Sequence, residues 1–213
     1  MLNELGLEYE MVPINVAIGE TKGHKLKALN PAAKVPVMVD GKTVITESSA
    51  IQLYLAEKHP KAGLIPDSIE ERGQMYRWIF FLVTEIEQPL WRIARHTVLY
   101  PKDKRLPQDI EIAKQECKEM VAVLENHMDK RQYIVGKRLS VADFNAAYVM
   151  DWANENKLLE DAPKLRKYLR WMYSRPTAPP RIASALALLK SLPSNASGSK
   201  SRQHDRTHRR VDP

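Results

Sequence analysis

The sequence predicts a small α+β domain followed by an all-helical one, on three observations. Asp40-Gly41 stands between two short β-favouring runs at 37–39 and 43–45, a strong local hairpin signal. From residue 66 to 190 the apolar side chains recur almost only at helical spacing. Between the two lies Pro60-Lys61-Ala62-Gly63-Leu64-Ile65-Pro66, whose prolines and glycine read as a linker. The expected organisation is an α+β domain over 1–60, a helical domain over 66–192 and a basic tail over 193–213.

Each element has a local reason. Residues 1–6 read as the last turns of a helix, with Gly6 at the left-handed position that ends it. Residues 9–16 are expected to form a strand, with Pro13 placing it at an edge or an irregularity. Residues 23–29 suit a short helix. Ser48 to Lys58 reads as a helix with Ile51, Tyr54 and Leu55 on its inner face, stopped by His59-Pro60. A long helix from about Ser68 carries Tyr76, Ile79, Phe80, Val83 and Ile86, and Pro89 should kink it. Ile110, Ala113, Cys117, Met120, Val121, Leu124 and Met128 mark a second amphipathic helix. Ser140-Val141-Ala142-Asp143 is a capping box with Asp in place of the usual Glu or Gln. Pro163 suits the first turn of a helix to Tyr173, and a last helix is expected over 180–190.

Composition narrows the class. At 213 residues and 44% hydrophobic, the chain can bury a real core. No apolar run approaches the ~18 residues of a membrane span, and the N-terminus lacks the pattern of a secretory signal. The single cysteine, Cys117, forms no intrachain disulfide and fits a reducing compartment. On its apolar helix face it reads as a small buried hydrophobe. Net charge is +7, but the tail holds Lys200, Arg202, Arg206, Arg209 and Arg210 against Asp205 and Asp212, a net +3. The remaining excess is interspersed with acids and reads as a solvated surface, so nucleic acid is not an expected partner. The tail is too polar to order itself.

Three motifs in order are sharper than any one alone: Asn30-Pro31-Ala32-Ala33-Lys34-Val35-Pro36-Val37, then Thr46-Glu47-Ser48-Ser49-Ala50-Ile51 with Tyr54-Leu55, then Ser140-Val141-Ala142-Asp143-Phe144. Together they resemble the cytosolic glutathione transferase superfamily, in its bacterial, theta-like form. The resemblance covers nearly everything from Met1 to about residue 192. It implies a thioredoxin-like N-terminal domain followed by the all-α C-terminal domain of that superfamily.

The resemblance also implies roles. Pro36 would follow a cis peptide bond, and the Val35 backbone would pair with the cysteinyl part of glutathione as if extending a sheet. Glu47 and Ser48 would hold the γ-glutamyl end, Glu47 by pairing with the ammonium. Ser48 would act at a helix N-terminus that favours a carboxylate. The alternative for Ser48, or for Ser49, is a plain helix cap. Lys34 and Lys22 match basic residues near the glycine carboxylate, Lys34 the better placed. Theta-like members carry a histidine where Thr21 stands here, with His24 displaced. Ser140 and Asp143 would start a buried helix. Met75, Tyr76 and Trp78 lie on the helix that borders the electrophile site, although an aromatic stripe is more often core.

Members of the superfamily begin with a strand and a loop carrying the Tyr, Ser or Cys that activates the glutathione sulfur. This sequence starts inside the following helix, so it names no catalytic residue. It is expected to be truncated, through a downstream start or a shortened form. Residues 9–16 are then left without their neighbouring strand. The implied activity is conjugation of glutathione thiolate to an electrophilic small molecule in detoxification, by a cytoplasmic homodimer that needs no metal and no membrane. The alternative is a non-catalytic relative that uses the scaffold for binding or protein interaction. A third is a nucleic-acid adaptor acting through the basic tail.

Overall fold

The computed structural model describes residues 1–16 and 19–191. The chain opens on a tight turn that closes as the sequence predicts. Gly6 takes φ 62°, and the Gly6 and Leu7 N–H groups donate back to the Asn3 and Leu2 carbonyls at 3.2 and 3.1 Å. This paired pattern is a glycine-terminated helix end. Glu4 accepts from the Arg175 guanidinium at 2.9 Å, which fastens the turn to the helical part.

Residues 9–16 do not form the expected strand. The sheet of the described residues has two strands, β1 (Val37–Asp40) and β2 (Thr43–Thr46). A strand exists only where its N–H and C=O groups meet a ladder partner. Here Pro13 has no N–H to give, and Tyr9, Met11, Val12 and Val16 stand exposed. The segment satisfies itself locally instead: Glu20 N–H donates to the Asn15 carbonyl at 3.2 Å and Asn15 N–H to Glu20 Oε2 at 2.6 Å.

The hairpin is antiparallel, with Val37 opposite Thr46 and Asp40 opposite Thr43. Its loop is Gly41-Lys42, and Gly41 supplies the positive φ of 60° that the tight turn requires. Before it come a 3₁₀ turn at Glu20–Lys22 and α1 (His24–Leu29); after it comes α2 (Ser48–Lys58). Leu55 and Ala56 of α2 are buried, while Ile51 and Tyr54 are partly so. Tyr54 OH donates to Asp40 Oδ2 at 2.8 Å and Lys58 pairs with the same oxygen. The turn end of the hairpin is thus tied to the C-terminal half of α2.

Residues 60–66 are held rather than loose. Pro60–Ala62 is a 3₁₀ turn, and the buried Leu64 accepts the Val141 N–H at 3.0 Å. Then α3 (Ile69–Phe81) starts at Ser68, whose side chain accepts the Glu71 N–H. Pro89 does not stop the helix. A π-helical stretch, Leu82–Glu87, runs directly into α4 (Gln88–Ala94), and a second one, Arg95–Leu99, follows. The wider turn accommodates a ring that has no N–H and would clash with the carbonyl four residues back. The expected inner stripe is only partly right: Ile79 and Ile86 are buried, but Phe80 is 66% exposed.

The remaining helices are α5 (Pro107–His127), α6 (Val141–Glu155), α7 (Pro163–Tyr173) and α8 (Ile182–Ser191). The core lies between α3, α4, α5, α6 and α7, and α6 is its centre, with ten of its fifteen residues buried. Met75 and Trp78 are core residues. Cys117 is fully buried, and burial pushes its thiol up to about 12, so it is an inert hydrophobe. The expected tail over 193–213 lies outside the described residues.

The capping box is present and does more than start α6. Asp143 Oδ2 accepts both the N–H and the hydroxyl of Ser140 at 2.9 Å. Asp143 Oδ1 accepts the Ile134 N–H at 2.9 Å and the Tyr168 hydroxyl at 2.9 Å. Burial pushes this carboxyl upward, and those donors oppose it. Replacing it orphans buried donors on three segments. Asp143→Ala should lower the unfolding free energy by about 3 kcal/mol or more, since each unpaired buried donor costs about 1–3 kcal/mol. Urea unfolding measures it, and a loss below about 1 kcal/mol would contradict this role.

Candidate functional site

The β1–β2 register gathers most of the candidate residues. Val37 opposite Thr46 is the last pair, so Val35-Pro36 just before β1 and Glu47-Ser48 just after β2 lie at the same end of the hairpin. The loop that leads into β1 and the turn that leads into α2 therefore meet at the open end of the hairpin. Lys34, Val35, Pro36 and Glu47 are exposed there and Ser48 is half-exposed. The Val35–Pro36 peptide is cis. Lys22 is exposed on its 3₁₀ turn, and no hydrogen bond or ion pair among the described residues joins it to this end.

Asn30 builds the first wall, a role the sequence reading did not give it. Its side chain is buried, its Nδ2 donates to the Lys34 carbonyl at 2.9 Å, and its Oδ1 accepts the Ala32 N–H at 3.0 Å. An asparagine that bonds the backbone two residues on is an Asx turn, and Asn-Pro was the signal for it. Within this clasp Ala33 takes φ 53°. With the Lys34 carbonyl held inward, the Val35 backbone stands at the rim, and Val35 is 40% exposed.

The second wall is the N-terminus of α2. Glu47 is its N-cap residue, at φ 66° and ψ 119°, with no side-chain capping bond. A non-glycine residue at positive φ is costly, by about 1–3 kcal/mol, and such strain concentrates at binding sites. Neither serine caps the helix. Ser49 Oγ donates to Asn145 Oδ1 of α6 at 2.6 Å, and Ser48 Oγ makes no hydrogen bond among the described residues. The first intrahelical bond runs from Ile51 N–H to the Glu47 carbonyl at 2.9 Å. The N–H groups of Ser48, Ser49 and Ala50 are thus free of helical acceptors, and together with the Ser48 hydroxyl they form an anion-binding end. Glu47, the N-cap residue, carries a carboxylate that suits a cationic group, and Lys34, exposed on the loop into β1, carries an ammonium. The site can hold an extended zwitterion by its backbone, its carboxylates and its amine.

A third wall comes from the π-helical stretch and α6. Glu87 is half-buried, and its Oε1 accepts the Trp91 indole N–H at 3.3 Å. Trp91 meets Trp152 edge-on at 4.9 Å, and Tyr148 lies 6.3 Å from Trp152. Burial, with the Glu47 carboxylate adding to it, raises the Glu87 carboxyl above its usual value. Burial and Glu87 likewise raise the Tyr148 phenol. Nothing in the local sequence marks Glu87, because its environment is assembled from residues far away in the chain. Among Met75, Tyr76 and Trp78, none has this placement: two are core and Tyr76 is half-buried.

The raised carboxyl has a pH signature. The folded protein holds the Glu87 proton to a higher pH than the unfolded chain, so ionisation lowers stability as pH rises above about 4.5. Glu87→Gln mimics the protonated form. It should be more stable than the parent at pH 7 and equal to it near pH 4 by urea unfolding. A stability gap independent of pH would contradict the assignment.

Comparison with known proteins follows the same division. The family model "Glutathione S-transferase, N-terminal domain" matches residues 1–57, and "Glutathione S-transferase, C-terminal domain" matches 88–176. Glutathione S-transferase F9 of Arabidopsis thaliana is 33% identical over 147 residues, 67% of this chain and 68% of that protein. A zeta-class glutathione S-transferase of Euphorbia esula is 39% identical over 93 residues, 44% of this chain and 41% of that one. Among solved structures, the glutathione transferase URE2P6 from Phanerochaete chrysosporium, in complex with oxidized glutathione, superposes with a TM-score of 0.74. It is 26% identical and covers 88% of this chain and 87% of its own. The Glu47–Ser48 helix end and the Val35–Pro36 turn lie inside the first matched region.

Proposed function

We propose that this chain, which belongs to the glutathione S-transferase family, binds glutathione at the open end of its hairpin and joins the thiolate to an electrophilic small molecule. The observation that supports the reading is the uncapped N-terminus of α2, with Glu47 at positive φ, at the same hairpin end as the exposed Val35-Pro36 segment. The γ-glutamyl carboxylate takes the Ser48 hydroxyl and the free N–H groups of the first helical turn. Its ammonium pairs with Glu47. The cysteinyl backbone pairs with Val35 as an added strand, and Lys34 approaches the glycine carboxylate, with Lys22 as a more distant contributor.

The reaction is a displacement or addition at an electrophilic carbon. The sulfur–carbon bond forms as the thiolate attacks, and the leaving group or the carbanion takes the electron pair. The named residues fix where the sulfur lies, and positioning of this kind contributes several kcal/mol to such a step. Glu87, Trp91, Tyr148 and Trp152 supply an aromatic wall with one carboxyl for the electrophile. Residues 1–60 and 66–192 act as the two domains of this division. Ile69 and Phe80, 70% and 66% exposed, lie on one stripe of α3 and support a homodimer paired across that face. A cytoplasmic setting fits the single, buried cysteine.

Ser48→Ala tests the reading. It should weaken glutathione binding by about 1–3 kcal/mol, the range for a hydrogen bond to a charged group, as measured by calorimetry. Unchanged affinity in a folded variant would remove Ser48 from the site. Turnover of an aryl halide with glutathione decides between the enzyme and the binding module: affinity without conjugation would favour the module.

A further inference from the structure

Beyond the residues that would touch glutathione, the structure assigns a positioning residue in the other domain: we propose that Asn145 of α6 sets the glutathione-binding end of α2. The inference rests on the site reading above. Asn145 is only 4% exposed, and both of its amide hydrogens and one lone pair of its oxygen are bonded. Its Oδ1 accepts the Ser49 hydroxyl at 2.6 Å. Its Nδ2 donates to Gln52 Oε1 at 3.1 Å and to the Val141 carbonyl, one turn back on α6, also at 3.1 Å. Turning the amide over would aim its oxygen at two acceptors, so the bonding fixes its orientation.

The two contacts on α2 are three residues apart and share one helix face. One bond would let α2 swing; two, a turn apart, fix its rotation about its own axis. Ser49 directly follows Ser48, and its own N–H is one of the free donors of the binding end. Rotation of α2 carries the Ser48 hydroxyl and those N–H groups with it. The other end of the clamp cannot yield, because α6 is locked by the Asp143 bonds to Ser140, Ile134 and Tyr168. Asn145 thus transmits the rigidity of the helical domain to a helix end that carries strain at Glu47 and no cap of its own. Its side chain bonds only Ser49, Gln52 and Val141 among the described residues, so it acts through α2.

The test is a double-mutant cycle read by glutathione affinity. Ser49→Ala and Asn145→Ala remove the same bond from opposite sides. Each should weaken glutathione by about tenfold, comparable to losing one charge-assisted hydrogen bond in place. The double variant should be no weaker than the worse single one. γ-Glutamylcysteine, which retains the end bound by α2, should lose affinity to the same extent, whereas KM for the electrophile should stay the same. A purely structural role would move KM for both substrates together. Should Asn145→Ala fail to fold, Ser49→Ala carries the test, because it empties no core position. Parental affinity in folded Ser49→Ala, or additive losses in the double variant, would overturn the proposal. Absence of glutathione binding by the parent protein would instead overturn the site reading, and this inference with it.

Discussion

The buried carboxyl of Asp143 is the interaction on which the rest depends. It joins the start of α6, the Ile134 backbone before it and the Tyr168 hydroxyl of α7 at one point. A buried polar group that is fully paired fixes one arrangement, because every alternative leaves donors without acceptors. α6 inherits that fixity as the centre of the core. Through Val141 N–H it holds Leu64 of the connecting segment, and through Asn145 it holds α2. The start of α2 is therefore held by the helical domain.

The site itself is built from backbone that secondary structure leaves unpaired. Among the described residues, two of the four non-glycine residues with positive φ, Ala33 and Glu47, flank it on its two walls. The other two, Lys130 and Lys157, follow helix ends, where that conformation is routine. Among the described residues the N–H groups at the start of α2 have no side-chain cap and the Ser48 hydroxyl no partner, and these are the groups a carboxylate would satisfy. Backbone strain clusters at ligand sites, and free N–H groups at a helix start suit an anion, so the two together support the binding reading.

Local signals were legible in the sequence and distant ones were not. Asp40-Gly41, the bounds of α2, the Ser140–Asp143 box and the end at Gly6 depend on residues within a few positions, and the structure follows them. Residues 9–16 have strand composition, but a strand depends on a partner that sequence spacing does not supply, and the described sheet has none for it. Pro89 carried a correct local prohibition, but the form it takes, a π-helical stretch that runs on into α4, is not written in the residues beside it. Ser48 and Ser49 look alike in sequence; only the contact to Asn145, 96 residues away, separates the free hydroxyl from the bonded one. Glu87 escaped notice for the same reason.

The most direct measurement is an amide-resolved nuclear magnetic resonance titration of the full chain with glutathione. Saturable shifts concentrated at Val35 and at Ser48, Ser49 and Ala50, with Lys22 little affected, are the predicted result. Binding with those amides unmoved, or with the shifts centred elsewhere, would contradict the claim that the hairpin end and the start of α2 form the glutathione site.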